Sequence, residues 1–192
     1  MPLILPKPGT FVLEEKRSKF IGCCASVKSE EEAKDFVENI RKQNKDANHN
    51  VFAYSVCGAV RFSDDGEPGG TAGMPVLNVF QKAGVIDFVC VVTRYFGGVL
   101  LGAGGLVRAY TKTAKGAMDN AEPEELVVTR LYKVVCDYGQ VDKMKHRFDK
   151  WDIEIVDITY TDCCEATVLV KLMEVESFEL NAASFCRKIE AV

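Results

Sequence analysis

The chain has 192 residues, of which 47% are hydrophobic and 27% are charged, a composition that is ordinary for a globular protein. Its formal net charge of −4 argues against indiscriminate nucleic-acid binding, although it does not exclude a local basic face. No segment approaches the roughly 18 to 20 apolar residues of a membrane helix, and the opening sequence lacks the layout of a signal peptide. We therefore expect a cytoplasmic protein that has no membrane partner.

The charge is unevenly distributed along the chain. Residues 1–121 contain 15 Lys and Arg against 13 Asp and Glu, whereas residues 122–192 contain 9 against 15. The change falls near Asn120–Glu125, where the sequence NAEPEE also contains a proline. Because domain boundaries commonly fall in polar, proline-bearing segments, the sequence predicts two separately folded domains, 1–121 and 122–192.

The first part of the chain alternates between strand and helix patterns. TFVLEEKRSKFIGCCASV predicts two strands around a polar turn, and Ser29 with Glu32 forms a capping box at the start of a helix. The segment NVFAYSVCGAV predicts a further strand, and VIDFVCVVTRYF predicts a central strand that is covered on at least one face. Helices are expected over MPVLNVFQKA and from about Gly104 to Met118.

Two glycine-rich loops flank the predicted central strand. Twelve of the 15 glycines lie between Gly58 and Gly116, which indicates positive φ angles or the close approach of another group. The first loop, SDDGEPGGTAG, combines glycines with acidic and hydroxyl side chains. Its candidate functional residues, together with a histidine that precedes a predicted strand, are Ser63, Asp64, Asp65, Gly66, Glu67, Thr71 and His49.

The acidic residues of the first loop allow two interpretations. Asp64, Asp65 and Glu67 could hold Mg²⁺ together with a substrate phosphate, which would make the protein an enzyme acting on a phosphorylated compound. The same residues are also strong turn formers, because Asp carboxylates accept hydrogen bonds from nearby backbone N–H groups. We favour the turn and expect no metal site, so that Asp64→Ala would lower the stability by about 1 kcal/mol. His49 could be a general base or a structural residue.

The second glycine-rich loop and the helix after it predict an anion site. Free backbone N–H groups and the helix dipole favour an anion at a helix N-terminus. Basic residues share the exposed face of this helix at spacings of four and three, and an arginine ends the preceding strand. The candidate residues are Arg94, Gly102, Gly104, Gly105, Arg108, Lys112 and Lys115. A solvated helix face would show the same pattern, and the glycine spacing fits neither a dinucleotide-binding fingerprint nor a P-loop.

The C-terminal part has the pattern β-α-β-β-α. LVVTRLYKVVC, DIEIVDITY and ATVLVKLM predict strands, and helices are expected over residues 139–150 and over ESFELNAASFCRKIE. In the last of these helices, Phe178, Ala182, Phe185 and Ile189 would face inward. This order of elements is typical of a small ferredoxin-like α+β domain.

The eight cysteines are predicted to be reduced and structural. Most of them lie in apolar runs, where a free thiol packs as a small hydrophobic residue, and the chain has no C-x-x-C pair. The chain has only two histidines, His49 and His146, so we expect neither a zinc site nor any other cofactor.

Two long motifs, SDDGEPGGTAGMP and RYFGGVLLGAGGLVRAY, together resemble the IMPACT family and its bacterial YigZ-type members. SKFIG, His49-Asn50 and Ala53-Tyr54 fit the same pattern, so the resemblance covers residues from about 10 to 120. It implies an N-terminal two-layer α/β sandwich like the second domain of ribosomal protein S-five. It also implies a C-terminal ferredoxin-like domain that resembles the fifth domain of elongation factor G.

Both of these folds occur in translation proteins, so the resemblance suggests contact with RNA, the ribosome or a translation factor by analogy. Eukaryotic members regulate translation through a protein partner that bacteria lack, and the family brings no enzymatic activity. We therefore predict a cytosolic, non-catalytic binding protein linked to translation regulation, which binds through the glycine-rich anion site. The alternatives are the metal-dependent enzyme and a protein-interaction module, bound to a protein partner, whose loops are purely structural.

Overall fold

The computed structural model describes all 192 residues and divides them into two compact units, Met1–Leu126 and Val127–Val192. Each unit combines helices with β-sheet, which confirms the predicted mixed α/β fold class. The first unit ends later than the charge pattern indicated, because the short strand Glu124–Glu125 pairs with Leu3–Ile4. No helix in either unit is long and apolar enough to cross a lipid bilayer.

The first unit consists of seven strands and three helices. The strands are β1 (Leu3–Ile4), β2 (Gly9–Glu15), β3 (Ser18–Ser26), β4 (His49–Val56), β5 (Ala59–Ser63), β6 (Phe88–Tyr95) and β7 (Glu124–Glu125). The helices are α1 (Glu30–Gln43), α2 (Gly73–Ala83) and α3 (Ala103–Asn120). Five of the strands form an antiparallel sheet in the order β2-β3-β6-β4-β5, and β1 pairs with β7.

Helices cover both faces of this sheet. On one face, Val91 of β6 packs in a buried cluster with Val37 of α1. On the other face, Val92 belongs to a larger core with Phe80 of α2 and Tyr110 of α3. The first unit therefore has three layers rather than the two that the family resemblance implied. The continuous apolar run of β6 predicted burial, but it could not show that helices cover both sides.

The second unit is a four-stranded antiparallel sheet with two helices. Its strands are β8 (Thr129–Cys136), β9 (Glu154–Tyr160), β10 (Cys164–Lys171) and β11 (Lys188–Ala191), and its helices are α4 (Val141–Lys150) and α5 (Val175–Ala182). A 3-10 turn precedes each helix. The strand order β11-β8-β10-β9 and the element order βαββαβ are those of a ferredoxin-like domain.

The end of the second unit differs from the sequence prediction. We expected one helix over ESFELNAASFCRKIE, whereas α5 ends at Ala182 and the chain continues into β11. Phe178, Ala182 and Phe185 are buried as expected, and Ile189 packs against the same core from the strand. Phe185 lies in the turn after α5 and Ile189 lies in β11, and the helical spacing of these buried residues does not reveal the turn between them.

All eight cysteines are free thiols, and their exposure differs. Cys24 and Cys90 are buried in the core of the first unit, whereas Cys57 is exposed between β4 and β5. Burial raises the pKa of Cys24 to about 12 and raises the pKa of Cys90 well above its ordinary value. These two thiols therefore remain protonated at neutral pH and act as core residues.

We predict that iodoacetamide at about pH 8 modifies Cys57 in the folded protein and leaves Cys24 and Cys90 intact, because alkylation needs an accessible thiolate. Peptide mass spectrometry after a short reaction measures the modification at each site. The denatured protein is the control, in which all three thiols react. Modification of Cys90 at the rate of Cys57 in the folded protein would contradict the buried placement.

Candidate anion-binding site

Several strand ends of the first unit meet at one end of its sheet. β3 begins at Ser18, β4 begins at His49 and β6 ends at Tyr95. The antiparallel register places Arg94 between Phe20 of β3 and His49 of β4. The loop of residues 96–102 and the N-terminus of α3 follow directly at this end of the sheet.

The loop after β6 contacts the turn between β2 and β3 through a glycine. A Cβ atom at Gly97 would lie 2.0 Å from the carbonyl group of Arg17, so no other residue fits without a backbone shift. The Gly97 N–H group donates a hydrogen bond of 3.2 Å to Oγ of Ser18. This glycine is therefore required by the packing of two loops and needs no ligand to explain it.

Arg94 forms a buried ion pair with Glu67 of the first glycine-rich loop. Nη1 of Arg94 donates to Oε1 of Glu67 at 2.7 Å, and the hydroxyl group of Tyr110 donates to the same oxygen at 2.7 Å. Only 6% of the Arg94 side chain and 2% of the Glu67 side chain are exposed. Burial, followed by the hydrogen bond to Glu67 and its charge, raises the pKa of Tyr110 far above the ordinary value, so the phenol stays a donor.

The guanidinium group of Arg94 retains unused donors. Its central carbon lies 5.3 Å from the ring centre of Phe20 and 5.4 Å from that of Phe96. Nη2 is 3.5 Å from Oγ of Ser18, at the limit of a hydrogen bond, and the buried Nε has no partner within the protein. The ion pair with Glu67 therefore satisfies only part of this group.

His49 lies beside the ion pair, and its contacts define the position of its proton. Nδ1 is 2.8 Å from the carbonyl oxygen of Asp65. Because a carbonyl oxygen only accepts, Nδ1 carries the hydrogen, and Nε2 of the neutral ring is an acceptor. Nε2 lies 3.9 Å from Oε1 of Glu67, and 24% of the His49 side chain is exposed. A molecule that approaches this end of the sheet can therefore reach the ring.

Asp64 caps helix α2 from nine residues before its start. Its carboxylate oxygens accept hydrogen bonds from the N–H groups of Gly70 at 2.8 Å, Ala72 at 3.0 Å and Gly73 at 2.8 Å. Ala72, the residue before the helix, supplies no side-chain cap, so Asp64 provides the missing acceptor. Burial by itself raises the pKa of Asp64, but the three hydrogen bonds outweigh burial and lower the pKa.

The other polar residues of the first loop also bind within the protein. Oδ2 of Asp65 accepts from the N–H group of Asn50 at 2.6 Å. Oγ of Ser63 accepts from the Asp65 N–H group at 3.1 Å, and the Thr71 hydroxyl donates to the Pro68 carbonyl at 2.6 Å. The two aspartates thus reach other elements, whereas we expected bonds to adjacent residues.

The backbone of the first loop explains these contacts. Asp65 and Gly66 have φ angles of 46° and 87°, so successive side chains point to different elements.

In all 192 residues, no group of three or more His, Cys, Asp or Glu side chains is arranged to hold a metal ion.

The residues predicted to form one anion site lie in two separate depressions. The first, which we call the cleft, has a volume of about 410 Å³, and its polar lining residues are Asn48, His49, Glu67 and Arg94. The second, which we call the basic hollow, has a volume of about 250 Å³, and its basic lining residues are Lys16, Arg108 and Lys112. Gly102 lines the cleft, whereas Gly105 lines the basic hollow.

Two of the predicted residues line neither depression, and one residue was missed. Gly104 lies in sequence between Ala103 of the cleft and Gly105 of the basic hollow, and Lys115 forms an ion pair of 2.8 Å with Asp119 one helical turn later. Lys16 lies in the turn between β2 and β3, where the sequence predicts a polar turn. Its place beside α3 depends on the packing of α3 against β2, which no local pattern shows.

Residues 16–118, more than half of the chain, match the Impact N-terminal domain. The chain belongs to the IMPACT family. The resemblance inferred from the two glycine-rich motifs is thus confirmed. Residues 134–187 match a domain of unknown function, DUF1949. The cleft and the basic hollow lie within the unit that contains the Impact N-terminal domain.

Members of the IMPACT family from two bacteria resemble this chain over most of its length. YigZ of Escherichia coli (strain K12) is 36% identical over 191 residues, which cover 96% of this chain and 93% of YigZ. YvyE of Bacillus subtilis (strain 168) is also 36% identical, over 85% of this chain and 76% of YvyE.

Among solved structures, a crystal structure of a hypothetical protein aligns over 99% of this chain and 95% of its own, with 34% identity and a TM-score of 0.63. The two-domain translational regulator Yih1 aligns over 60% of this chain and 45% of its own, with 26% identity and a TM-score of 0.35. The first alignment supports the fold of this chain.

We predict that Asp64→Asn lowers the free energy of unfolding by about 2 kcal/mol at neutral pH, because hydrogen bonds to a charged acceptor are lost. The folded-state pKa of Asp64 is lowered, so its contribution is present above the unfolded pKa of about 3.9 and is lost as the pH falls through the folded pKa. The difference between wild type and variant should therefore shrink below about pH 4.

Urea unfolding of both proteins at several pH values measures this difference. Asp35→Asn, an exposed aspartate of α1, is the matched control and should show little effect at any pH. A difference between wild type and Asp64→Asn that stays constant down to about pH 3 would show that the charge of Asp64 does not stabilise the loop.

Proposed function

We propose that this protein is a non-catalytic RNA-binding member of the IMPACT family that acts in translation, and that the basic hollow contacts the RNA phosphate backbone. The observation that supports the proposal best is the convergence of Lys16, Arg108 and Lys112 on one depression. These residues come from two distant parts of the sequence, the β2–β3 turn and α3. A stripe along one helix would be ordinary surface, whereas convergence from two elements forms a concave positive site.

The three cations of the basic hollow are available to a ligand. All three are exposed, and none of them takes part in the ion pairs of the protein. Glu15 also lines the basic hollow, so its local charge is smaller than three positive units. Phosphate groups of RNA are suited to such a site, because each neutralised phosphate releases condensed counterions.

The translational part of the proposal rests on family membership and on the analogy of fold. The resemblance implies folds that recur in ribosomal protein S-five and elongation factor G, and it groups the chain with eukaryotic regulators of translation. The ferredoxin-like order of the second unit agrees with the second of these folds. The analogy of fold suggests that the protein acts in translation, and the basic hollow suggests that it contacts phosphate groups of RNA.

The enzyme alternative has less support from the contacts of the first loop. Asp64, Asp65 and Glu67 each accept hydrogen bonds from other parts of the protein, and they serve three different elements. A shared metal ion would have to compete with those bonds. The interaction-module alternative is supported by the exposed apolar residues of the loop after β6, Phe96, Val99 and Leu100.

We predict that Arg108→Ala and Lys112→Ala each weaken binding to ribosomal RNA and reduce the slope of log affinity against log salt by roughly 0.7 to 0.9, the value for one lost phosphate contact. Lys16→Ala should have the same effect. Thermal stability should stay within about 0.5 kcal/mol, because these side chains are exposed. Fluorescence anisotropy with labelled ribosomal RNA across a potassium chloride series measures both quantities.

Lys115→Ala is the matched control, since Lys115 lies on the same helix but pairs with Asp119. It removes the same charge from the protein and should change the affinity much less than Lys112→Ala. Equal effects of Lys112→Ala and Lys115→Ala on the affinity would show that RNA binding depends on the net charge of the protein and not on the basic hollow. Absence of RNA binding by the wild type at low salt would refute the proposed function.

A further inference from the structure

We infer that the cleft binds a small organic carboxylate with an apolar body, with the carboxylate held between Arg94 and the N-terminus of α3. This site is separate from the basic hollow, and it does not depend on RNA binding. The inference rests on the shape of the cleft, on an unused buried donor, on the uncapped helix and on the balance of charge.

The cleft has the size and lining of a small-molecule site. Its volume of about 410 Å³ lies within the range of roughly 300 to 1,000 Å³ that is usual for such pockets. Its apolar lining residues include Phe96, Leu100, Leu101 and Leu106. Among its polar side chains, Arg94, Glu67 and His49 lie together, and Asn48 also lines the cleft. A ligand that fits this lining has one polar end and an apolar body.

Arg94 provides a donor that the protein itself does not use. The residue is only 5% exposed, and its Nε atom has no hydrogen-bond partner. Buried donors without partners are rare in folded proteins, because the loss of hydration is not compensated. The residue lines the cleft, so a bound carboxylate would be a partner for its unused N–H groups. Nε itself is closed to solvent, so the ligand would reach that N–H group through a shift of the side chain.

The N-terminus of α3 lies at the same cleft and lacks a cap. Gly102 precedes the helix with a φ angle of 73° and has no side chain to accept a hydrogen bond from the first turn. Gly102 and Ala103 both line the cleft. The first N–H groups of the helix are therefore available to an anion, and the helix dipole places roughly half a positive charge there.

The balance of charge favours a single negative charge on the ligand. The charges of Arg94 and Glu67 cancel within their ion pair, and the distance of 2.7 Å keeps Glu67 close to any anion bound at Arg94. The excess positive charge is then mainly that of the helix N-terminus. A dianionic phosphate would be repelled by Glu67 more strongly than a carboxylate. The basic hollow, with three cations, has the opposite preference.

The loop after β6 supplies an apolar surface for the body of the ligand. Leu100 is 82% exposed and Phe96 is 43% exposed, and both lie along the cleft. Exposed apolar side chains that line a groove together are typical of a surface that a ligand covers. An aromatic or aliphatic ligand body would bury both side chains, whereas a simple inorganic anion would leave them in water.

Fluorine NMR with three probes tests the inference, namely para-trifluoromethylbenzoate, para-trifluoromethylphenylacetate and trifluoropentanoate. Ligands of this size are expected to bind in roughly the millimolar range. The neutral analogue para-trifluoromethylbenzyl alcohol and inorganic phosphate are the competing ligands. We expect at least one carboxylate to bind roughly tenfold more tightly than the alcohol. Phosphate should fail to displace it.

Two substitutions that introduce a negative charge in the first turn of α3 locate the binding site. Ala103→Glu places a carboxylate in the cleft and should weaken probe binding at least tenfold, while an acidic residue in the first turn does not harm the helix. Gly104→Glu adds the same charge in the same turn, but a Cβ atom there faces Arg108, 3.7 Å away. It should weaken probe binding much less than Ala103→Glu does, and it should weaken RNA binding.

The same pair of variants separates this inference from the proposed function. Loss of probe binding in Ala103→Glu with intact RNA binding supports the cleft as a distinct site, whatever the outcome for RNA in Gly104→Glu. Equal effects of the two substitutions on probe binding would overturn the inference. Equal affinity for the alcohol and the carboxylates would overturn it too. Failure of all three carboxylates to bind the wild type would overturn it as well.

Discussion

The buried ion pair between Arg94 and Glu67 determines the arrangement of one whole end of the first unit. It joins the end of the central strand β6 to the first glycine-rich loop, and Tyr110 connects the same carboxylate to α3. Two charges with side chains only 6% and 2% exposed are costly to bury, and removal of one partner from such a pair typically costs about 3 to 5 kcal/mol. The shape of the cleft thus depends on the interaction that also forms its polar wall.

The loop SDDGEPGGTAG uses its acidic residues to connect elements that are far apart in sequence. Asp64 binds the start of α2, Asp65 binds the start of β4, and Glu67 binds the end of β6. Successive carboxylates can point in three directions because Asp65 and Gly66 have positive φ angles. These contacts explain the carboxylates of the motif by the folding of the unit, and Gly66, Glu67 and Pro68 of the same motif line the cleft.

The sequence allowed prediction of the elements but not of the distant contacts. Local patterns identified the five helices and seven of the eleven strands, because apolar periodicity reflects which face is buried. They did not identify the short strands β1 and β7, and they predicted one strand where β4 and β5 form a hairpin. The role of Asp64 as a distant cap, and the separation of Arg94 from Arg108, depend on tertiary packing that a single sequence does not contain. Lys16 was missed for the same reason. The strand β11 was missed because the helical spacing of Phe178, Ala182, Phe185 and Ile189 continues across the turn that follows α5.

The pairing of β1 with β7 has a consequence for the order of folding. Leu3 and Ile4 pair with Glu125 and Glu124, about 120 residues later in the chain, and Leu5 beside them is buried. Contacts of such long sequence separation are slow to form, because a long segment must first be ordered. At usual rates of synthesis the first strand would wait on the order of ten seconds for its partner. The first unit is therefore completed only when its last residues are available, and during synthesis its first segment is the part most exposed to wrong partners.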